Sequence, residues 1–365
     1  MTTIETSTRH APSEHPVVSH QVLSDYLFPV ETEIKVFGNG HINKTYLLTA
    51  GQRRVILQQI NTSIFPSADD LVENALKIER HLLNKQQQGC YPMQVLRQQA
   101  KVDGSYLAGS DRDLRALQFI DHGSSIEVVE NTQQAHAAAL TFGQFAAALA
   151  DFDATTLVTV IPDFHNLSMR FMQLEQAIAA DKVGRLAACQ SLVDLCLAQR
   201  HLVTELETVA AALPLRVCHN DTKINNMLYS AAEGRGIAAI DLDTCMAGYW
   251  MFDFGDMVRT CCSPEAEDSL NTELVRIRPE IFQALADGYL QGLSGVITTA
   301  ERESLFLGAQ VMCLMIGIRF LADHLNGDTY FAVKRPDHNL QRAQNQIRLY
   351  QDLTAQSAQL SNCFR

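Results

Sequence analysis

Net positive charge is what this 365-residue chain lacks first: 29 Lys and Arg stand against 41 Asp and Glu, a formal net charge of −12. No basic stripe offsets the balance, which argues against a general nucleic-acid binder. An acidic chain that binds an anionic nucleotide needs a local remedy, such as backbone N–H groups, a few placed cations or a bound divalent metal. Paired CxxC units are also missing. The nine cysteines are scattered and odd in number, which weakens both a disulfide scaffold and a zinc site and predicts reduced thiols in a cytoplasmic protein. No HxH or HExxH grouping occurs among the histidines, so a histidine-based metal hydrolase has little support. Residues 1–16 contain no apolar segment of the secretory kind. The most apolar run, Leu305–Ile318, is short for a bilayer and leads straight into Arg319, so it is expected as a buried core helix with no membrane partner. Internal repeats are absent.

What is present reads as globular, with 47% hydrophobic and 19% charged residues and enough length for two lobes. Residues 1–20 are polar and are expected as a mobile tail. Residues 21–120 are expected to form a small antiparallel sheet with one helix. Glu33–Phe37, Thr45–Leu48, Val55–Gln59, Tyr106–Leu107 and Leu114–Ile120 read as strands, and Asp69 and Asp70 open a helix with Leu71, Ala75, Ile78 and Leu82 on one face. Residues 121–365 read as mainly helical, with helices over Thr132–Ala150, Asp181–Ala211 (interrupted at Gly184), Glu301–Leu325 and Arg335–Leu353. The fold class is α+β, a β-rich lobe followed by a larger helical lobe that carries a β-hairpin.

That hairpin carries the chemistry. Met227–Tyr229 and Ile237–Ile240 are apolar runs separated by Glu233-Gly-Arg-Gly236. In a hairpin the start of the first strand lies beside the end of the second. Asn226 and Asp241, both hard oxygen donors, are therefore expected at one end, with His219 and Asp221 in the loop just before it. Phosphoryl transfer from ATP needs a carboxylate to orient the attacking hydroxyl, oxygen ligands for Mg²⁺, and positive charge near the moving phosphoryl group. Asp221 is the candidate base, Asn226 and Asp241 the candidate metal ligands, and Lys223 the candidate catalytic cation. The spacing H-x-D-x-K-x-x-N resembles a protein-kinase catalytic loop. The bland alternative is that His219 and Asp221 cap a turn and Asp241 merely ends a strand. Asp243 falls on the same strand face as Asp241, either assisting the metal or solvated.

Gly38-Asn39-Gly40 lies between two expected strands. Its glycines permit a tight turn and close approach to phosphates, or an ordinary hairpin turn. Asp253-Phe-Gly255-Asp256 has the letters of a kinase metal motif but follows the acidic strand end, so it is expected to buttress the catalytic loop instead.

The segments GNGHINKTYLL (38–48), VILQQIN (55–61), IPDFHN (161–166), HNDTKINN (219–226), IDLDTCMAGYWMFDFGD (240–256) and RFLADHLNGDTYF (319–331) resemble the N-acetylhexosamine 1-kinases of the aminoglycoside-phosphotransferase/choline-kinase superfamily. The resemblance implies a protein-kinase-like two-lobed fold. It implies ATP and Mg²⁺ as cofactors and transfer to the anomeric hydroxyl of a small-molecule sugar acceptor. It places Gly38, Asn39, Gly40 and Asn43 over the nucleotide, Phe119 and Ile120 at the adenine, and Arg319 and Tyr330 at the sugar, with His165 nearby. An alternative for Arg319 is an ordinary ion pair with Asp323 one turn on. The chain departs from protein kinases at Gln58, which stands where the third strand carries a phosphate-holding lysine. That departure leaves the cation that anchors the phosphates unassigned. A kinase for another hydroxyl acceptor stays open, as does a nucleotide-binding module without activity. Oligomeric state is not legible.

Overall fold

The computed structural model describes residues 18–38 and 42–365. The expected tail falls almost wholly outside that range, as do Asn39 and Gly40. The chain divides into two compact units. One runs to Glu79 and resumes over Leu96–Asp121; the other comprises Arg80–Val95 and His122–Arg365.

The first unit opens with a short helix, α1 (His20–Asp25), capped by the Ser19 side chain. Strands β1 (Glu33–Val36), β2 (Lys44–Ala50) and β3 (Arg53–Gln59) follow as an antiparallel meander. Helix α2 (Ala68–Gln87) starts in this unit, and Asp69 and Asp70 favour its positive N-terminal end. Strands β4 (Gln98–Gln99), β5 (Leu107–Ala108) and β6 (Leu114–Gln118) complete one sheet, in the order β1-β2-β3-β6-β4 with β5 also paired to β6. Period-2 alternation gives the sheet two faces. Tyr46, Leu48, Val55, Leu57, Leu114 and Ala116 pack on Val22, Leu23 and Tyr26 of the α1 segment. Thr45, Gln58 and Arg115, which pair across three strands, fall on the opposite face.

The second unit holds strand β7 (Ser124–Ser125) and helices α3 (Thr132–Ala148), α4 (Leu167–Ala180), α5 (Leu186–Leu197) and α6 (His201–Ala210). Strands β8 (Arg216–Cys218), β9 (Met227–Ser230), β10 (Arg235–Ala239) and β11 (Met246–Gly248) come next. Helices α7 (Trp250–Cys261), α8 (Pro279–Gly292), α9 (Thr299–Leu325), α10 (His338–Ala355) and α11 (Ser357–Leu360) complete it. A small antiparallel sheet and a larger helical part are thus present, as expected. Helix α4 was not legible in the sequence, and the stretch expected as one broken helix over 181–211 is two helices after a turn.

Helix α9 is longer than the apolar run that announced it. Thr298 and Glu301 form a reciprocal capping box at its start, and it continues through Arg319. By length and composition alone it could cross a membrane, but most of it is buried among α4, α7 and α10. Helix α7 lies so close to it that a Cβ at Gly255 would strike the backbone of Gly308. The glycine of the Asp253-Phe-Gly255 segment therefore serves a helix crossing, and the kinase-like letters sit inside a helix.

Candidate active site

Strands β9 and β10 form the expected hairpin, with Met227 opposite Ala239. One step further, the Ile240 N–H donates to the Asn226 carbonyl at 2.9 Å, so Asn226 and Ile240 are neighbours and Asp241 follows at the same end. There the chain turns sharply, with Asp241 in the left-handed region at φ +59°. The hairpin is seated on α3: a Cβ at Gly236 would collide with Thr141 and Met227.

The loop before the hairpin is held from several sides. The Asp253 carboxylate accepts the backbone N–H groups of His219 at 2.9 Å and Asn220 at 2.7 Å. The Thr222 hydroxyl donates to the Asp253 carbonyl at 2.6 Å. From the segment after Asp241, the Thr244 hydroxyl donates to the His219 carbonyl at 2.7 Å, and Asn220 Nδ2 donates to the Thr244 carbonyl at 2.9 Å. Burial pushes the Asp253 carboxyl up to about 7, against the pull of its two N–H donors. The buttressing expected of this segment is what Asp253 provides.

His219 is structural. Its Nε2 lies 3.0 Å from the Ile240 carbonyl, which can only accept, so Nε2 carries the proton and Nδ1 is left to accept from the Asp221 N–H at 3.3 Å. Burial against Phe142 and Phe145 lowers its pKa and keeps the ring neutral.

Asp221, Lys223 and Asn226 meet directly. Asn226 Nδ2 donates to Asp221 Oδ2 and to the Asp221 carbonyl, both at 2.8 Å. Lys223 Nζ lies 2.8 Å from Asp221 Oδ1. Burial would raise the Asp221 pKa, but the Lys223 charge and hydrogen bond outweigh it, and the carboxyl is held below its ordinary range. Lys223 is raised in turn by Asp221. With both Nδ2 bonds spent on Asp221, Oδ1 is the Asn226 atom left for a ligand. Asp243 is buried rather than solvated.

A second cluster in the same unit contains the expected acceptor residues. Phe164, Tyr330 and Phe331 surround the Arg319 guanidinium, with ring centroids 5.6, 5.8 and 5.3 Å from its central carbon. Burial and the Arg170 cation pull Arg319 down to about 10. His165 stacks on Phe164 at 4.6 Å between ring centroids, and burial together with Arg319 and Arg170 lowers it to about 3. The Asp221 charge also acts on His165, which ties the two clusters together electrostatically. The ion pair considered between Arg319 and Asp323 is not formed. The Asp323 carboxylate instead accepts the N–H groups of Thr329 at 2.9 Å, Tyr330 at 2.8 Å and Phe331 at 3.0 Å, and Asn339 Nδ2 at 2.9 Å. Asp323 thereby folds the loop that brings Tyr330 and Phe331 to Arg319. Phe164, Arg170 and Phe331 were not singled out by sequence reasoning. Arg170 holds the loop before α4 by donating to the Asp163 and Phe164 carbonyls, both at 3.0 Å.

In the first unit, Gly38 adopts φ +74°, a turn conformation that glycine favours. The Asn43 side chain accepts the Asn61 N–H at 3.0 Å. Phe119 meets Phe37 edge to face at 6.0 Å, with the Arg54 guanidinium 4.3 Å above its ring, and Ile120 is buried. Gln58 is bonded to Arg115, a residue not singled out in the sequence.

Comparison with known proteins bears on the fold that carries these residues. Among solved structures, the fold is similar to an aminoglycoside phosphotransferase from Alicyclobacillus acidocaldarius, at 14% identity and a TM-score of 0.60, covering 97% of this chain and 99% of that one. It is also similar to the ethanolamine kinase of Plasmodium vivax, at 13% identity and a TM-score of 0.53, covering 86% and 82%. A third similar structure is a GDP complex of an aminoglycoside 2′-phosphotransferase, at 13% identity and a TM-score of 0.52, covering 90% and 93%. The model of the phosphotransferase enzyme family matches residues 33–296, a span that contains the β1–β3 meander, the 219–226 loop and the hairpin. The chain belongs to the phosphotransferase enzyme family.

Proposed function

We propose that the chain is an ATP- and Mg²⁺-dependent kinase that phosphorylates the anomeric hydroxyl of an N-acetylhexosamine, giving the sugar 1-phosphate. Arg319 carries the choice of acceptor. Among the described residues its guanidinium has no acidic partner, and three aromatic rings enclose it. Such a site repels quaternary ammonium, amino-alcohol and aminoglycoside cations, and it suits a neutral acceptor rich in hydroxyl and carbonyl oxygens. The segments shared with N-acetylhexosamine 1-kinases point the same way.

In this reading the Asp221 carboxylate orients the acceptor hydroxyl and takes its proton as the oxygen attacks the γ-phosphorus. Asn226 keeps that carboxylate aimed, and Lys223 supplies charge at the reacting oxygens. Asn226 Oδ1 and the Asp241 carboxylate fit Mg²⁺, which commonly takes one or two protein oxygens and completes its shell with phosphates and water. Bound there, the metal neutralises phosphate charge that an acidic chain otherwise repels. Gly38, Asn39, Gly40, Asn43 and Gln58 are assigned to the phosphates, and Phe119 and Ile120 to the base. Arg319 and Tyr330 are assigned to the sugar, with the neutral His165 available as a hydrogen-bonding partner.

The test is an acceptor panel with ATP and Mg²⁺, with the phosphorylated position read by phosphorus NMR. N-acetylglucosamine and N-acetylgalactosamine should give anomeric phosphates, while choline, ethanolamine and kanamycin should give none. Turnover confined to the cationic acceptors would refute the sugar reading and leave the phosphotransferase family unaffected.

A further inference from the structure

Gln58 on β3 and Arg115 on β6 stand directly opposite each other in the sheet of the first unit. Arg115 is 2% exposed, and its guanidinium donates to Gln58 Oε1 from Nε at 3.1 Å and from Nη2 at 2.8 Å. A guanidinium can only donate, so the pairing decides which way the Gln58 amide faces. The oxygen is committed to Arg115 and the NH₂ group is turned away from it. That NH₂ has one long contact, 3.3 Å to the Thr45 hydroxyl on β2. Thr45, Gln58 and Arg115 lie on the sheet face opposite the α1 packing.

We propose that Arg115 is a positioning residue for nucleotide binding, locking the Gln58 amide so that its two N–H donors meet the phosphate oxygens that a third-strand lysine holds in protein kinases. The inference rests on the ATP-binding role proposed above. It accounts for the missing lysine. An ammonium at position 58 would lie against a buried guanidinium, and two like charges at that separation repel strongly in a desolvated setting. A neutral amide accepts from the buried cation at one end and donates at the other. Charge is thereby kept one residue back from the phosphates, relayed through a polarised amide.

The experiment is a double-mutant cycle on the whole chain, read as the Kd for ADP by calorimetry, with melting temperatures recorded alongside. Arg115→Met should weaken binding roughly tenfold, the size of a hydrogen bond to a charged group. In a Gln58→Ala background the same change should have no further effect. Equal losses in both backgrounds would overturn the proposal, because Arg115 would then act directly or through the fold. Should Arg115→Met not fold, Gln58→Glu decides. It keeps Arg115 paired, so melting should hold or rise, while ADP affinity should fall at least about tenfold for want of N–H donors. Parent-like affinity in Gln58→Glu would overturn the proposal. Gln58→Lys should be destabilised and should recover in combination with Arg115→Met; no recovery counts against the charge argument and the proposal with it. A parent chain that binds no ADP overturns both this inference and the function it rests on. Binding with an additive cycle removes this inference alone.

Discussion

Asn226 donates both hydrogens of its side-chain amide to Asp221, one to the carboxylate and one to the backbone carbonyl, each at 2.8 Å. One residue therefore aims the candidate base and keeps its remaining oxygen for the metal-ligand role proposed above. Asp241 follows Ile240 at the end of the partner strand.

The two candidate metal ligands should therefore separate kinetically. Asn226→Ala loses a ligand and the Asp221 clamp together, so the Mg²⁺ concentration for half-activity should rise and kcat should fall by roughly 10²-fold even at saturating metal. Asp241→Ala should raise the Mg²⁺ requirement more strongly while the pH dependence of kcat/KM keeps its parent shape. A parent-like Mg²⁺ titration in Asp241→Ala would remove Asp241 from the metal site.

Lys223 sets the charge state of Asp221. Burial alone raises that carboxyl, and Lys223 reverses the direction. The acid limb of kcat/KM in the parent should lie below the ordinary carboxylate range, because the base is already ionised there. Lys223→Met removes the depressing charge, so the limb should move to higher pH. A limb that stays in place or moves lower would show that Lys223 does not govern the base.

Much of this was legible in the sequence, for definite physical reasons. The β9–β10 hairpin could be read because apolar alternation and a glycine-containing turn are local signals, and the pairing of its ends follows from antiparallel geometry. Asp253 could be given a supporting role from its place after the acidic strand end, although its two N–H acceptances come from residues more than thirty positions away. Arg115 was not legible: its partner is 57 residues distant and β6 reads as an ordinary apolar strand. Asp323 invited the wrong reading. Its spacing from Arg319 suggests an ion pair along the helix, but three N–H donors from the loop after α9 compete better for the carboxylate.

That loop gives a test of the acceptor pocket. Asp323→Ala leaves three backbone N–H groups without their acceptor, and stability should fall by about 1–3 kcal/mol. The acceptor KM should rise with it, since Tyr330 and Phe331 are no longer held at Arg319. Arg319→Lys keeps the charge and loses the planar fork, so it should raise the acceptor KM strongly with ATP KM barely moved and little change in melting. Unfolding curves and steady-state kinetics with each substrate varied in turn check both. An Arg319→Lys chain with parent KM values but lower stability would make Arg319 structural.

The most direct measurement takes Asp221→Asn and compares its turnover with its nucleotide affinity. The substitution keeps the size of the side chain and removes the charge that accepts the acceptor's proton. The account predicts that kcat falls by about 10²–10⁴-fold or more while the Kd for ATP stays near the parent value. Near-normal turnover in Asp221→Asn would contradict it.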